Sequence, residues 1–405
     1  MLIWQSFIAS IAVLWLSGDT HAQQSATTFT STSGRVAFAI IALLFAACNR
    51  TIPTKSYLVQ QVTPTEIADF IDTTNVRHIE LESCDEALMG NLILKLKMED
   101  NDIYFLDSGN ATIFRFDANT GKFKNRICHK GRGPQEVILI EDFDVRDGRV
   151  YILSMGDNRV LTFDIDGKFI TSIKTKYPFY SIQADKDYKV WLSSKKCNKS
   201  GYELHLIDAT TAQTIMQIGE FDPNMQMSLI DGFCTFKSSS SNNIIVTEPY
   251  DNTLYRIEND TITPYITLKF EDFSTELTAK QKKDLTYSEK SELYSNADQL
   301  KHYVDVVENN NTIFVTANCT FNKLGGRNCL IKINKHSAEA KLISLENYQP
   351  NKYQPHYNRI FPYSGGIGSA GLVVLRYPNE LRHDPKFANL DQYANPIVFF
   401  YPLKL

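Results

Sequence analysis

The sequence predicts an all-β fold, a six-bladed β-propeller of four-stranded antiparallel blades with a short helical insertion around residues 273–300. Three observations carry this. Six apolar, β-branched or aromatic runs recur at Ile103–Asp107, Val150–Ser154, Val190–Ser194, Ile244–Glu248, Ile313–Ala317 and Leu372–Arg376, with starts 40 to 69 residues apart. Each is followed by a more alternating run, at Ile113–Asp117, Val160–Asp164, Leu204–Asp208, Leu254–Glu258, Leu330–Asn334 and Val398–Pro402. Most of these second runs end on an acidic or amide residue, often with a glycine turn and a further strand beyond it, as Asp117 and Gly121 precede Lys122–Ile127.

The first runs read as strands buried on both faces, because they are almost continuously apolar. The second runs alternate, which predicts one covered face and one wetter face. One more strand before each first run completes a four-stranded meander averaging 55 residues over 76–405. A ring of such units must close, since open edges invite aggregation. The last unit lacks an outer strand after Pro402, and Val76–Leu81 is a spare strand at the other end of the repeat, so these two are expected to pair.

Composition agrees. The 24 Phe and 20 Tyr among 405 residues suit strands. The 42 Lys+Arg against 46 Asp+Glu give a net charge of −4, which excludes the basic face that nucleic-acid binding requires.

Residues 1–47 read as a signal region. Two apolar stretches lie there, and the first, within residues 1–35, reads as translation called from too early a start. The second follows Arg35 and runs from Val36 to Ala47. It is too short to span ~30 Å of hydrocarbon. It ends in Ala46, Ala47 and Cys48, which resembles a bacterial lipobox with Phe45 as a departure, so Cys48 is the expected lipid attachment. Residues 48–75 are then a lipid-anchored linker and 76–405 the propeller. The linker carries no acidic run, which favours the periplasmic face of the outer membrane. Cys319 and Cys329 flank a hairpin signal and could form a disulfide; a free pair is the alternative. The polar segment from Phe273 to Leu300 reads as one or two surface helices.

A set of motifs follows in fixed order: Asp102–Ser108, Phe116 and Asp117, Gly121–Phe123, then Gly131, Arg132, Gly133, Pro134 and Glu136, then Ile140–Phe143. Together they resemble the 6-bladed β-propeller lipoproteins of the Bacteroidota cell envelope, related to NHL-repeat propellers. The resemblance implies the fold and the location and implies no reaction.

The turn at Gly131–Glu136 is expected to cross the face of the disc toward the channel. There Arg132 could meet a carboxylate or phosphate, or instead tie neighbouring blades with Glu136. His129, just before it, is the candidate channel histidine. Asp142 and Asp144 flank Phe143 and share a strand face, an arrangement that can bind Ca²⁺ or another divalent metal, or do acid–base work. Tyr353, Tyr357 and Arg359 lie in a Pro-punctuated aromatic loop suited to sugars or peptides. No nucleophile elbow, phosphate loop or zinc spacing occurs. The sequence therefore favours a non-catalytic envelope lipoprotein whose face or channel binds a small ligand, glycan or protein partner, with no cofactor. The alternatives are a metal-dependent hydrolase or lyase in the channel, and a structural scaffold in an envelope complex.

Overall fold

The computed structural model describes residues 54–61, 68–90, 93–154, 156–194, 199–220, 235–238, 244–247, 251–258, 260–270, 285, 289, 299–308, 311–321, 326–337, 339–344, 360–363 and 371–404. The signal region, Cys48 and nearly all of the expected helical insertion lie outside them. Among the described residues no helix is long and apolar enough to cross a membrane.

The chain opens with β1 (Lys55–Gln61) and β2 (Arg77–Glu80). The first complete unit is β3 (Ile93–Glu99), β4 (Asp102–Asp107), β5 (Thr112–Asp117) and β6 (Phe123–Ile127). A small ribbon, β7 (His129–Lys130) and β8 (Glu136–Val137), leads to β9 (Ile140–Arg146), β10 (Arg149–Ser154), β11 (Arg159–Asp164) and β12 (Phe169–Lys174). Next come β13 (Phe179–Ala184), β14 (Lys189–Ser194), β15 (Tyr202–Asp208) and β16 (Thr214–Glu220). Then follow β17 (Thr235–Ser238), β18 (Ile244–Thr247), β19 (Thr253–Glu258) and β20 (Thr261–Phe270). The chain continues through β21 (Gln299–Glu308), β22 (Thr312–Phe321), β23 (Gly326–Asn334) and β24 (Glu339–Ser344). It ends with β25 (Ile360–Tyr363), β26 (Gly371–Arg376) and β27 (Ile397–Pro402).

These strands pair as antiparallel four-stranded units in an all-β propeller. The first strands of consecutive units touch one another in turn: β3 with β9, β9 with β13, β13 with β17, β17 with β21, β21 with β25, and β25 with β3 again. The last unit takes its outer strand from the other end of the repeat. β2 pairs with β27, with Ile79 opposite Val398, as the spare-strand argument expects. Asn395 secures the closure: its amide donates to the carbonyls of Glu82 and Ala87 at 2.7 and 2.8 Å, and its oxygen accepts from the Met89 N–H at 2.9 Å.

The second strands are buried on both faces, as their continuous apolar runs require; every residue of β4 is buried. Burial of each large side chain such as Phe105, Phe114 or Phe143 contributes roughly 2–3 kcal/mol. The third strands of the first three units differ from expectation. Their polar positions are not wet, because neighbouring units cover them: Arg115, Thr162 and His205 are 8%, 1% and 2% exposed. Arg115 is tolerated there because its Nε donates to Asp102 at 2.7 Å. β23 keeps the expected alternation, with Lys332 only half-buried between the buried Ile331 and Ile333. The acidic residues that end these strands are turn formers. Asp117, Asp164 and Asp208 each accept backbone N–H groups from residues just ahead, the bonding of an Asx turn. Gly121 completes the first such turn at φ +72°, and a Cβ there would lie 2.0 Å from the carbonyl oxygen of Glu80.

Two expectations need correction. Residues 48–75 are not wholly linker. β1 lies parallel between β20 and β24, with Tyr57 opposite Leu268 and Val59 opposite Ala340, and joins two units into a nine-stranded sheet. Tyr57 and Val59 alternate with exposed neighbours and pack into the core of those units, and Phe70 and Ile71 are buried as well. The hairpin cysteines do not face each other. Cys329 pairs in register with Ala317 and is a free thiol that donates to the Ala317 carbonyl at 3.5 Å. The turn, with Phe321 opposite Gly326, and the strand irregularity between Asn318 and Phe321 together set this stagger.

Candidate functional site

Two parts of the molecule gather the residues singled out above: the ring of first strands and the turn that leads into β9. On β9, Asp142 and Asp144 share a face, as their spacing demands. Asp142 Oδ1 accepts from Lys95 of β3 at 2.7 Å and from the Phe143 N–H at 2.8 Å, and Oδ2 accepts from the Ile182 N–H of β13 at 2.9 Å. Asp144 Oδ1 pairs with Lys97 of β3 at 2.8 Å, while Oδ2 accepts from the Ala184 N–H at 2.8 Å and from the Gln183 amide. Each carboxylate thus ties a lysine of the preceding unit to a backbone N–H of the following one. Both are buried, Asp144 to 1% exposure.

The electrostatics are those of a compensated buried cluster. Burial works against the Lys97 ammonium, but Asp144, through charge and hydrogen bond, together with Glu99 and Asp305, outweighs it and holds the pKa above the ordinary lysine value. Glu99, two residues along β3, is pushed up to about 6, chiefly by burial, against the pull of Lys97. Acid–base or metal chemistry at Asp142 or Asp144 would first require release of donors they already hold. Lys95, Lys97 and Glu99 were not among the sequence candidates. A signal existed: Lys95 and Lys97 precede Asp142 and Asp144 by 47 residues, the same interval that separates Ile103 from Val150.

The turn is built around the Glu136 carboxylate. β7 and β8 pair in parallel, His129 opposite Glu136. Glu136 Oε2 accepts from the Gly133 N–H at 2.8 Å, and a Cβ on Gly131 would lie 1.9 Å from the same oxygen. Arg159 of β11 donates to the carbonyls of Pro134 and Glu136 at 2.9 and 2.8 Å, which fixes the turn to the neighbouring unit. The arginine that ties this turn is therefore Arg159 and not Arg132. Arg132 is exposed and has no partner among the described residues, and His129 is exposed beside it. Tyr353, Tyr357 and Arg359 lie outside the described residues. Among the described residues no three His, Cys, Asp or Glu side chains are gathered as a metal-binding group.

The comparisons with known proteins agree with this fold. Residues 50–402 match the family described as a domain of unknown function, DUF4934, and the chain belongs to that family. No curated protein matches the chain. A solved structure from Bacteroides fragilis NCTC 9343, described as an exported protein, is similar at 18% identity with a TM-score of 0.66, covering 87% of this chain and 100% of that one. A member of the DUF4221 family from Bacteroides vulgatus is similar at 12% identity with a TM-score of 0.55, covering 82% and 98%. At these identities the likeness concerns the fold.

Proposed function

We propose that this DUF4934 protein is an exported lipoprotein, held through Cys48 to the periplasmic face of the outer membrane. Its six-bladed, NHL-like ring binds a small ligand, glycan or protein partner without catalysing a reaction. The likeness to an exported Bacteroides protein supports the location, and the small residues before Cys48 support the anchor. The Gly131–Glu136 turn carries the binding role. Its glutamate, its glycines and its carbonyls are spent on holding a fixed shape, while Arg132 is left exposed and unengaged. A rigid loop that presents a free guanidinium loses little entropy when it meets a carboxylate or phosphate.

Photocrosslinking in intact cells tests this. A crosslinking amino acid in place of Arg132 is expected to capture a discrete species in the membrane fraction. Cys48→Ser is expected to release the protein from that fraction and abolish the product. Equal, diffuse crosslinking from Arg132 and from an exposed position in another loop, such as His383, contradicts the binding role. Retention of Cys48→Ser in membranes contradicts the anchor.

A further inference from the structure

The repeat makes one buried residue stand out. The second position of the third-strand run is Phe114, Leu161, Tyr255, Ile331 and Phe399 in five units, and His205 in the remaining one. The fold thus fills this position with an aliphatic or aromatic side chain, only Tyr255 among them carrying a polar group, which donates to Asp251 at 2.8 Å, and nothing in the strand demands an imidazole. His205 is nevertheless 2% exposed. Its ring stands edge-on to Phe179 at 4.9 Å between centroids, with Tyr177 tilted at 6.0 Å. Nδ1 lies 3.1 Å from the Gln217 amide, and Nε2 is buried with no partner among the described residues. Burial drives the ring down to about 4, against a smaller opposing effect of the Tyr202 backbone, so it is neutral near pH 7. Other buried polar atoms also lack partners, Thr162 Oγ1 and Glu308 Oε2 among them, but of those residues only His205 borders the cavity described next.

That cavity, of about 350 Å³, lies in the seam between the β9–β12 and β13–β16 units. Ile173, Phe179 and Ile207 give it buried apolar walls, and Gln217 and Thr214 are exposed at its edge. Lys174 and Lys176 line it too, both exposed, and its described lining contains no carboxylate. Lys176 sits 5.1 Å from the centroid of the Tyr177 ring. The volume is in the range of small-molecule sites and more than twice that of a cavity that accepts benzene.

We propose that this seam is a binding site for a small, flat organic acid that carries a hydroxyl group. The rings of Tyr177, Phe179 and His205 suit a flat body, the two lysines suit an anion, and His205 Nε2 asks for a hydrogen-bond partner. A hydroxyl both donates and accepts, so it satisfies Nε2 in either tautomer of the neutral ring. The site is separate from the Arg132 turn and does not depend on the lipid anchor.

Titration of the purified protein by ligand-observed NMR tests the assignment, with 4-hydroxybenzoate as the probe. Benzoate lacks the hydroxyl, and 4-hydroxybenzyl alcohol lacks the charge. Saturable binding of 4-hydroxybenzoate is expected below about 10 mM, with each comparator at least about fivefold weaker. His205→Phe installs a residue that two other units already carry at this position, so the fold should accept it. It is expected to erase the preference for the hydroxyl. Replacing Lys174 and Lys176 with serine is expected to erase the preference for the anion. Thr214→Trp, at an exposed position, is expected to block binding without touching the core. Absence of saturable binding to the wild type, or binding that none of these variants changes, overturns the proposal.

Discussion

The seam between the β9–β12 and β13–β16 units has two ends, and they treat buried polar groups in opposite ways. At the inner end Asp142 and Asp144 are held by lysines and by the N–H groups of Ile182 and Ala184. At the outer end His205 keeps one nitrogen without a partner beside a cavity. A buried polar group whose bonds are all made contributes to holding a structure together. One left unmade costs about 1–3 kcal/mol and is retained for another reason. Paired carboxylates drew attention in the sequence, yet they are the structural end; the histidine of the third strand is the end with unused chemistry.

The largest effect that bears on this contrast is expected at Asp144. Asp144→Ala removes the bonds to two neighbouring units and leaves Lys97 without its main counter-charge. Urea unfolding should show a loss of about 3–5 kcal/mol. A loss below about 1 kcal/mol, the worth of an exposed ion pair, would break the contrast from the structural side.

Mild acid, between about pH 6.5 and 4, should act at the other end. Folding lowers the His205 pKa to about 4, from about 6.5 in the unfolded chain. Between those values the folded protein binds fewer protons. Its stability is therefore full above pH ~6.5 and falls toward pH ~4, by about 3 kcal/mol. Chemical unfolding across that range should reveal the slope in the wild type and lose it in His205→Phe. Glu99 contributes a smaller slope of opposite sign. Its pKa is raised to about 6, so its contribution is full below the unfolded value of ~4.5 and is lost as pH rises through 6. Glu99→Gln should remove that slope and sharpen the histidine's. A His205→Phe protein that keeps the wild-type acid profile would move the assignment elsewhere.

The smallest effect concerns the turn into β9. Gly131→Ala must displace the Glu136 carboxylate from the Gly133 N–H, a cost of about 1 kcal/mol in thermal or urea melts. A neutral result would mean that Glu136 does not fix the turn that presents Arg132.

Much of the fold was legible because it rests on local rules. All the second and third strands fall on the recurring runs, since continuous or alternating burial dictates their side chains. The Asp residues after them are fixed by the turn bonds they make. The spare strand was found by counting strands in the last unit. β1 was missed, because a seven-residue strand with polar ends pairs only with strands more than two hundred residues away. The ties across the inner end were half visible: the equal spacing of Lys95 with Asp142 and Lys97 with Asp144 marks them, but only the pairing shows that β13 supplies the remaining donors. His205 was visible as a strand residue and not as a site. Its cavity is made by β12 and the segment after it closing over β15 and β16, and no short window of sequence holds that geometry.

The most direct test is the ring ¹⁵N signal of His205, followed against pH and then against added 4-hydroxybenzoate. A neutral ring that titrates near pH 4 and an Nε2 signal that moves on addition of the acid are expected. A His205 that titrates near 6.5, or an Nε2 signal unmoved by the acid, would contradict the assignment of the seam.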